Sequence, residues 1–241
     1  MSTPTPALAS TVLITRPDGQ AATLLGQLHA AGHAALQRPA LLIEPLPLSD
    51  ADRRLLMDLD QFHAVFFVSA NAARLALETM ADLWPQWPVG VHWLAVGHAT
   101  AEVITAAGLT PETPASGFNS EAMLSLPCLT DVGGRRVLIC RGETGRDWLA
   151  ARLRERGAEV TLMPFYRRLP NPDFQWPDEA GVVMITSVEG WRAVARQVPA
   201  SATVIAAGER VAGAVADDHA GKLVIADSAH DADMIAALSR C

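Results

Sequence analysis

Short polar clusters recur along this chain, each after an apolar run and before an alanine- or leucine-rich stretch. They are Arg16-Pro17-Asp18-Gly19, Ser69-Ala70-Asn71, Gly97-His98-Ala99-Thr100, Arg141-Gly142-Glu143-Thr144-Gly145, Ser187-Val188-Glu189 and Gly208-Glu209-Arg210-Val211. If each run is a strand and each stretch a helix, the clusters sit where a strand ends and a helix starts. A helix start leaves N–H groups unpaired and carries a partial positive charge, which suits an anion. Hydroxyl and amide side chains add donors, and Arg16 and Arg141 add guanidinium forks shaped for carboxylates. The chemistry implied is the binding of a polyanion. The candidate binding residues are Arg16, Ser69, Asn71, Gly97, Thr100, Arg141, Ser187 and Gly208.

Each of these residues also has a plain structural reading. Ser, Thr and Asn are ordinary helix caps, the glycines permit tight turns, and the arginines suit inter-element salt bridges. The functional reading rests on the repetition of the pattern in both halves of the chain. Tyr166, the single tyrosine, lies in Pro164-Phe165-Tyr166-Arg167-Arg168. Its phenol O–H is a hydrogen-bond donor, and its ring could equally cover apolar surface.

Other residue types point nowhere. His29 and His33 are separated by Gly32, which should end their helix, so they do not read as a metal pair. His98 reads as a loop histidine, Trp84 and Trp87 as a packed loop, and Asp231 and Asp233 as acids opening a final helix. No phosphate-binding glycine motif is present, so nucleotide binding has no support. Three cysteines without C-x-x-C spacing argue against a disulfide framework and against a zinc site, leaving no metal expected. Cys140 reads as a core thiol. A net charge of -7 with no basic patch argues against a nucleic-acid partner. Met1 to Ser10 lacks the pattern of a secretory leader, and no apolar run is long enough to span a bilayer. A cytoplasmic protein with no membrane partner is expected, and a monomer, since nothing points to an obligate interface.

The elements that must position these clusters read as α/β. Strand candidates are Thr11 to Thr15, Ala64 to Val68, Trp93 to Val96, Val137 to Cys140, Val182 to Thr186, Thr203 to Ala206 and Leu223 to Ala226. Most are apolar along their whole length, as parallel strands covered on both faces are. The chain also repeats itself. Placing Arg16 on Arg141 puts Leu24 on Leu149, Leu28 on Leu153 and Gly32 on Gly157. Placing Ser69 on Ser187 puts Arg74 on Arg192, and placing Gly97 on Gly208 puts Ala101 on Ala212. The units run out of phase, with the arginine-bearing unit first. One continuous domain is then expected at 39–168, with 1–38 joining 169–241 as a discontinuous one. Each should be a flavodoxin-like parallel-sheet lobe. The apolar, proline-flanked segments Leu36 to Pro47 and Thr161 to Pro170 should pair as an extended two-stranded hinge. A ligand should lie in the cleft, outside the carboxyl ends of the strands.

The motifs VLITRP, FVSANAA, AVGHATAEVITAAGL, ASGFNSEAML, VLICRGETGRDWLAARLRERGAEVTLMPFYRR and VVMITS, in this order, resemble the uroporphyrinogen-III synthase family. The resemblance implies a two-lobed fold and the substrate hydroxymethylbilane, a linear tetrapyrrole bearing acetate and propionate groups. It implies loss of water, attack by the substituted carbon of ring D, a spiro intermediate and closure with ring D inverted, a hydro-lyase reaction in tetrapyrrole and heme biosynthesis. No metal or organic cofactor is implied. Tyr166 matches the family's catalytic tyrosine, Thr100 a cleft hydroxyl, and Ser69, Asn71 and Ser187 positions that bind side-chain carboxylates. The family commonly carries Gly-Pro-Thr-Thr-Ala where this chain has Gly208-Glu209-Arg210-Val211-Ala212, and often Thr near Asp231. These departures keep open an alternative, a non-catalytic bilobal anion-binding or sensor homologue.

Overall fold

The computed structural model describes residues 11–114 and 120–241. Met1 to Ser10, read above for a leader, and the first five residues of ASGFNSEAML lie outside the described residues. The chain separates into two compact units, Met1–Ile43 with Leu169–Cys241, and Glu44–Arg168.

Unit one begins with β1 (Thr11–Ile14), α1 (Ala22–Ala30) and β2 (Ala35–Gln37), and β3 (Leu41–Pro45) follows. Unit two then runs α2 (Asp50–Met57), β4 (Ala64–Phe67), α3 (Ala70–Ala81), β5 (His92–Ala95), α4 (His98–Ala106), β6 (Pro111–Glu112), α5 (Ser120–Met123), β7 (Arg136–Gly142), α6 (Trp148–Glu155) and β8 (Glu159–Pro170). Unit one resumes with β9 (Ala180–Ile185), α7 (Val188–Val194), β10 (Thr203–Ala207), α8 (Glu209–Ala216), β11 (Leu223–Ala226) and α9 (Asp231–Leu238).

All seven apolar runs form strands. Their alternating side chains feed two layers, as a doubly covered sheet requires. In unit one Leu13, Val183, Ile185 and Val204 enter one core. Val12, Ile14, Met184 and Ile205 enter the other. In unit two Ala64, Phe66, Val137 and Ile139 pack on one side. Their buried neighbours Val65, Phe67, Leu138 and Cys140 alternate to the opposite face.

The first sheet has the order β11-β10-β9-β1-β2 and the second β3-β8-β7-β4-β5-β6. Apart from β3, the two orders are the same if the arginine-bearing strand and its follower are read first. Read this way, each is the doubly wound order 2-1-3-4-5, circularly permuted in unit two. The order reverses between β1 and β9 in unit one and between β7 and β4 in unit two. Ligands of doubly wound sheets bind at such a reversal, beyond the carboxyl ends of the strands.

The connecting segments are more ordered than linkers. Leu36 and Gln37 belong to β2, which pairs in parallel with β1. Thr161 to Pro170 is most of β8, whose pairing with β7 runs from Arg136↔Glu159 to Gly142↔Tyr166. The two segments do meet as extended chain, since β3 stands beside β8 and the Leu46 amide donates to the Phe165 carbonyl at 2.9 Å. The sequence reads this segment as extended hinge and not as a sheet strand paired with β7; its prolines are tolerated at strand edges and ends.

Candidate active site

The reversal point of unit two holds a cavity of about 340 Å³. Its size falls at the low end of the roughly 300–1,000 Å³ usual for small-molecule sites. Phe66, Ile139 and Leu149 form apolar wall, while Ser69, Arg141, Gly142, Arg146, Tyr166 and Arg168 supply the polar side and the close approach. Ser69 follows β4, Arg141 and Gly142 end β7, Arg146 follows it, Leu149 lies in the first turn of α6, and Tyr166 and Arg168 lie in the second half of β8.

Ser69 caps α3, its Oγ accepting from the Ala72 amide at 3.2 Å. The same oxygen lies 3.2 Å from the Tyr166 phenol oxygen. A serine hydroxyl can accept from the helix amide and donate to the phenol together. The phenol is then anchored through its lone pair, with its own proton available to another acceptor.

Tyr166 is 2% exposed. Its ring lies against Gly142, where a Cβ would stand 2.9 Å from the phenol carbon Cζ. Only a residue without a side chain allows that approach. The Glu143 amide donates to the Tyr166 carbonyl at 2.7 Å, locking the strand beneath the ring. An Arg168 nitrogen reaches 3.5 Å from the phenol oxygen, and that guanidinium lies 5.8 Å from the ring centroid.

Arg141 is 8% exposed. Its Nε donates to the Gly142 carbonyl at 3.1 Å and its Nη1 pairs with Asp147. Asp147 is mostly exposed, so this contact is one an arriving carboxylate could replace. Arg146 and Arg168 line the cavity and are exposed. Cys140, on β7, is no nucleophile, because burial pushes its thiol well above the usual range.

Of the sequence-derived candidates, Ser69, Arg141 and Tyr166 come together here. Asn71 and Thr100 do not line the cavity; they are 9% and 3% exposed, in the first turns of α3 and α4. Gly97 has φ −168°, ordinary extended backbone, so nothing in its conformation asks for glycine.

The other three candidates lie in unit one. Arg16 donates to Asp231 at 2.6 Å and to the Ala229 carbonyl at 2.6 Å. This pair ties the end of β1 to the start of α9, so Asp231 neutralises Arg16. Ser187 caps α7 through the Gly190 amide at 3.0 Å, the counterpart of Ser69. Gly208 has φ +80°, a left-handed conformation that only glycine takes without strain. Val211 enters the core of its unit.

The remaining sequence readings also have places. Trp84 and Trp87 donate to the Leu56 and Ala107 carbonyls, and exposed His98 pairs with Glu102. Gly142, which stands in the cluster after β7, and Arg146 and Arg168 line the cavity without being among the candidate binding residues. The doubled arginine after Tyr166 was the available sign.

Residues 22–236 match the family model described as uroporphyrinogen-III synthase HemD. The chain is 37% identical over 163 residues to the uroporphyrinogen-III synthase of Salmonella typhimurium, covering 65% of this chain and 64% of that one. It is 32% identical over 187 residues to that of Synechococcus elongatus, covering 74% and 67%. The chain thus spans somewhat less than two thirds of the Salmonella protein. In fold, it is similar to the Helicobacter pylori uroporphyrinogen-III synthetase structure, with TM-score 0.65, 15% identity and coverage of 96% and 100%.

Proposed function

Because the chain belongs to the uroporphyrinogen-III synthase family, we propose that it closes hydroxymethylbilane to uroporphyrinogen III, inverting ring D and eliminating water. The observation that carries this reading is the Tyr166 phenol, held 3.2 Å from Ser69 Oγ over Gly142 in a cavity bearing arginines.

The substrate brings acetate and propionate groups on every pyrrole. Arg141, Arg146 and Arg168 can take these carboxylates, with the first-turn amides of α3 adding neutral donors. Ser187 and Gly208 of unit one offer the same chemistry at the starts of α7 and α8 and are proposed substrate contacts. Asn71, Gly97 and Thr100 are assigned the lesser part of shaping the helix starts. Arg16, paired with Asp231, is likewise a proposed carboxylate contact.

The departing hydroxyl must leave as water and needs a proton or a strong hydrogen bond. With Ser69 donating to the phenol oxygen, the Tyr166 O–H is turned to the leaving group as donor or general acid. The azafulvene cation left on ring A is attacked by the substituted carbon of ring D. The spiro intermediate fragments and recombines, and the last step returns a proton. The protein contributes placement and charge stabilisation. Unassisted closure gives the non-inverted isomer, so the fold of the bound bilane decides the product.

The test is to supply hydroxymethylbilane, oxidise the products and quantify isomer III against isomer I. Isomer III should dominate. Isomer I alone, at the rate without protein, would reject the reaction and leave a binding protein.

Within this reading the chain works in the cytoplasm as a monomer. Cys128, Cys140 and Cys241 are free thiols, in keeping with a reducing compartment. Among the described residues no helix is long and apolar enough to cross a membrane. Light scattering should return a mass near 25.6 kDa, and a dimer mass would overturn the monomer.

A further inference from the structure

Three side chains far apart in sequence meet at the other end of the unit-two sheet. His92 opens β5, Glu112 closes β6, and Cys128 lies in the single helical turn Pro127–Leu129. One ligand atom from each lies within 4.8 Å of the other two. His92 Nδ1 is 2.5 Å from a Glu112 carboxylate oxygen. His63, just before β4, supports the group from behind. Its Nε2 is 2.7 Å from the Cys128 carbonyl oxygen, and its ring centroid is 4.9 Å from that of His92. The phenol cavity gathers at the carboxyl ends of β4 and β7, whereas His63 and His92 stand at the amino ends of β4 and β5.

We propose that His92, Glu112 and Cys128 bind one divalent cation of the zinc type, with water as fourth ligand.

The donor set selects the ion. Thiolate and imidazole favour zinc-like metals over magnesium or calcium, which prefer all-oxygen sites. One thiolate and one carboxylate cancel the ion's two charges, so the bound site is electrically neutral. Zinc bonds of about 2.0–2.3 Å place tetrahedral ligand atoms roughly 3.3–3.8 Å apart. The three atoms already lie within 4.8 Å of one another, so shifts of about an ångström would bring them to that spacing. His92 and Glu112 are 38% and 37% exposed, which leaves a route for the ion and its water. The His63 bond holds the Cys128 backbone, as outer partners orient ligands in metal sites.

The site would clip the β5–β6 edge to the turn carrying Cys128, which packs against the unit-two core.

The test uses the whole purified chain, stripped with a chelator and exchanged into clean buffer. Titration with zinc should show one equivalent bound. Cobalt(II) should give a thiolate-to-metal charge-transfer band. Cys128→Ser should abolish that band and weaken zinc binding by at least about tenfold. Cys241→Ser should leave both unchanged. Because Cys128→Ser could disturb folding, alkylation of the unmodified chain gives a second measure. Zinc should protect Cys128 from iodoacetamide, read by peptide mass. Substoichiometric binding, a cobalt complex without the band, or alkylation of Cys128 at the same rate with and without zinc would each overturn the site.

Discussion

Tyr166→Phe lowers the turnover of hydroxymethylbilane by roughly tenfold or more and leaves the fold intact, if the phenol donates in the transition state. The substitution removes one oxygen. The ring remains, still filling a position that is 2% exposed and still lying on Gly142. Ser69 keeps its bond from the Ala72 amide, so its hydroxyl is not orphaned. The stability cost should be near the ~1 kcal/mol of one net hydrogen bond. The kinetic signature separates the role from simple binding. The carboxylate-binding groups are untouched, so KM should change little while kcat falls. The measurements are kcat and KM from isomer III formation, with a urea midpoint beside them. A wild-type kcat would remove the phenol from the chemistry. A raised KM with kcat preserved would make Tyr166 a binding residue.

Gly142→Ala should be as damaging, although the new methyl group touches no substrate. Its Cβ would lie 2.9 Å from Cζ, 3.0 Å from Cε2 and 3.2 Å from the oxygen of Tyr166. The backbone cannot give way easily, because Gly142 and Tyr166 are register partners of β7 and β8. The Glu143 amide also holds the Tyr166 carbonyl at 2.7 Å. The ring must therefore move. Overpacking of this kind costs about 1–3 kcal/mol of stability. A catalytic group misplaced by an ångström can lose about a hundredfold in rate, so kcat should fall by roughly ten- to a hundredfold. If both substitutions act through the phenol, Gly142→Ala combined with Tyr166→Phe should fall no further than the worse single variant. Independent, multiplying losses would show that Gly142 serves something other than the ring. Unchanged kcat in Gly142→Ala would show that the close approach is not needed.

The strands that were legible in the sequence were those buried on both faces. Runs such as Ala64–Phe67 are apolar at every position, and burial of every residue is the reason. The segments holding β3 and most of β8 were legible as paired extended chain but not as members of a sheet, and β2 and β6 were not legible as strands, because each is short, partly exposed or interrupted by proline. In β8 the last four residues are exposed and include Arg167 and Arg168. That tail reads as a connection, yet the same strand carries Tyr166 into the cavity. Helix starts were legible too. Ser69 and Ser187 were assigned by their place after an apolar run, and both cap the helices expected there.

The sequence by itself determined the class of fold, the internal repetition and the residue types at the strand ends, since these follow from local periodicity and from the chemistry of caps. Only the tertiary structure decided which of those residues meet. Ser69 and Tyr166 are separated by 97 positions, and Arg16 and Asp231 by 215. The pairing of β7 with β8 places Tyr166 over Gly142, and the docking of α9 brings Asp231 to Arg16. His92, Glu112 and Cys128 come from three elements with no shared spacing, so only the strand register and the packing of the turn bring them together. Register and docking are set by burial across the whole sheet, and such non-local terms leave no periodic trace in a single chain.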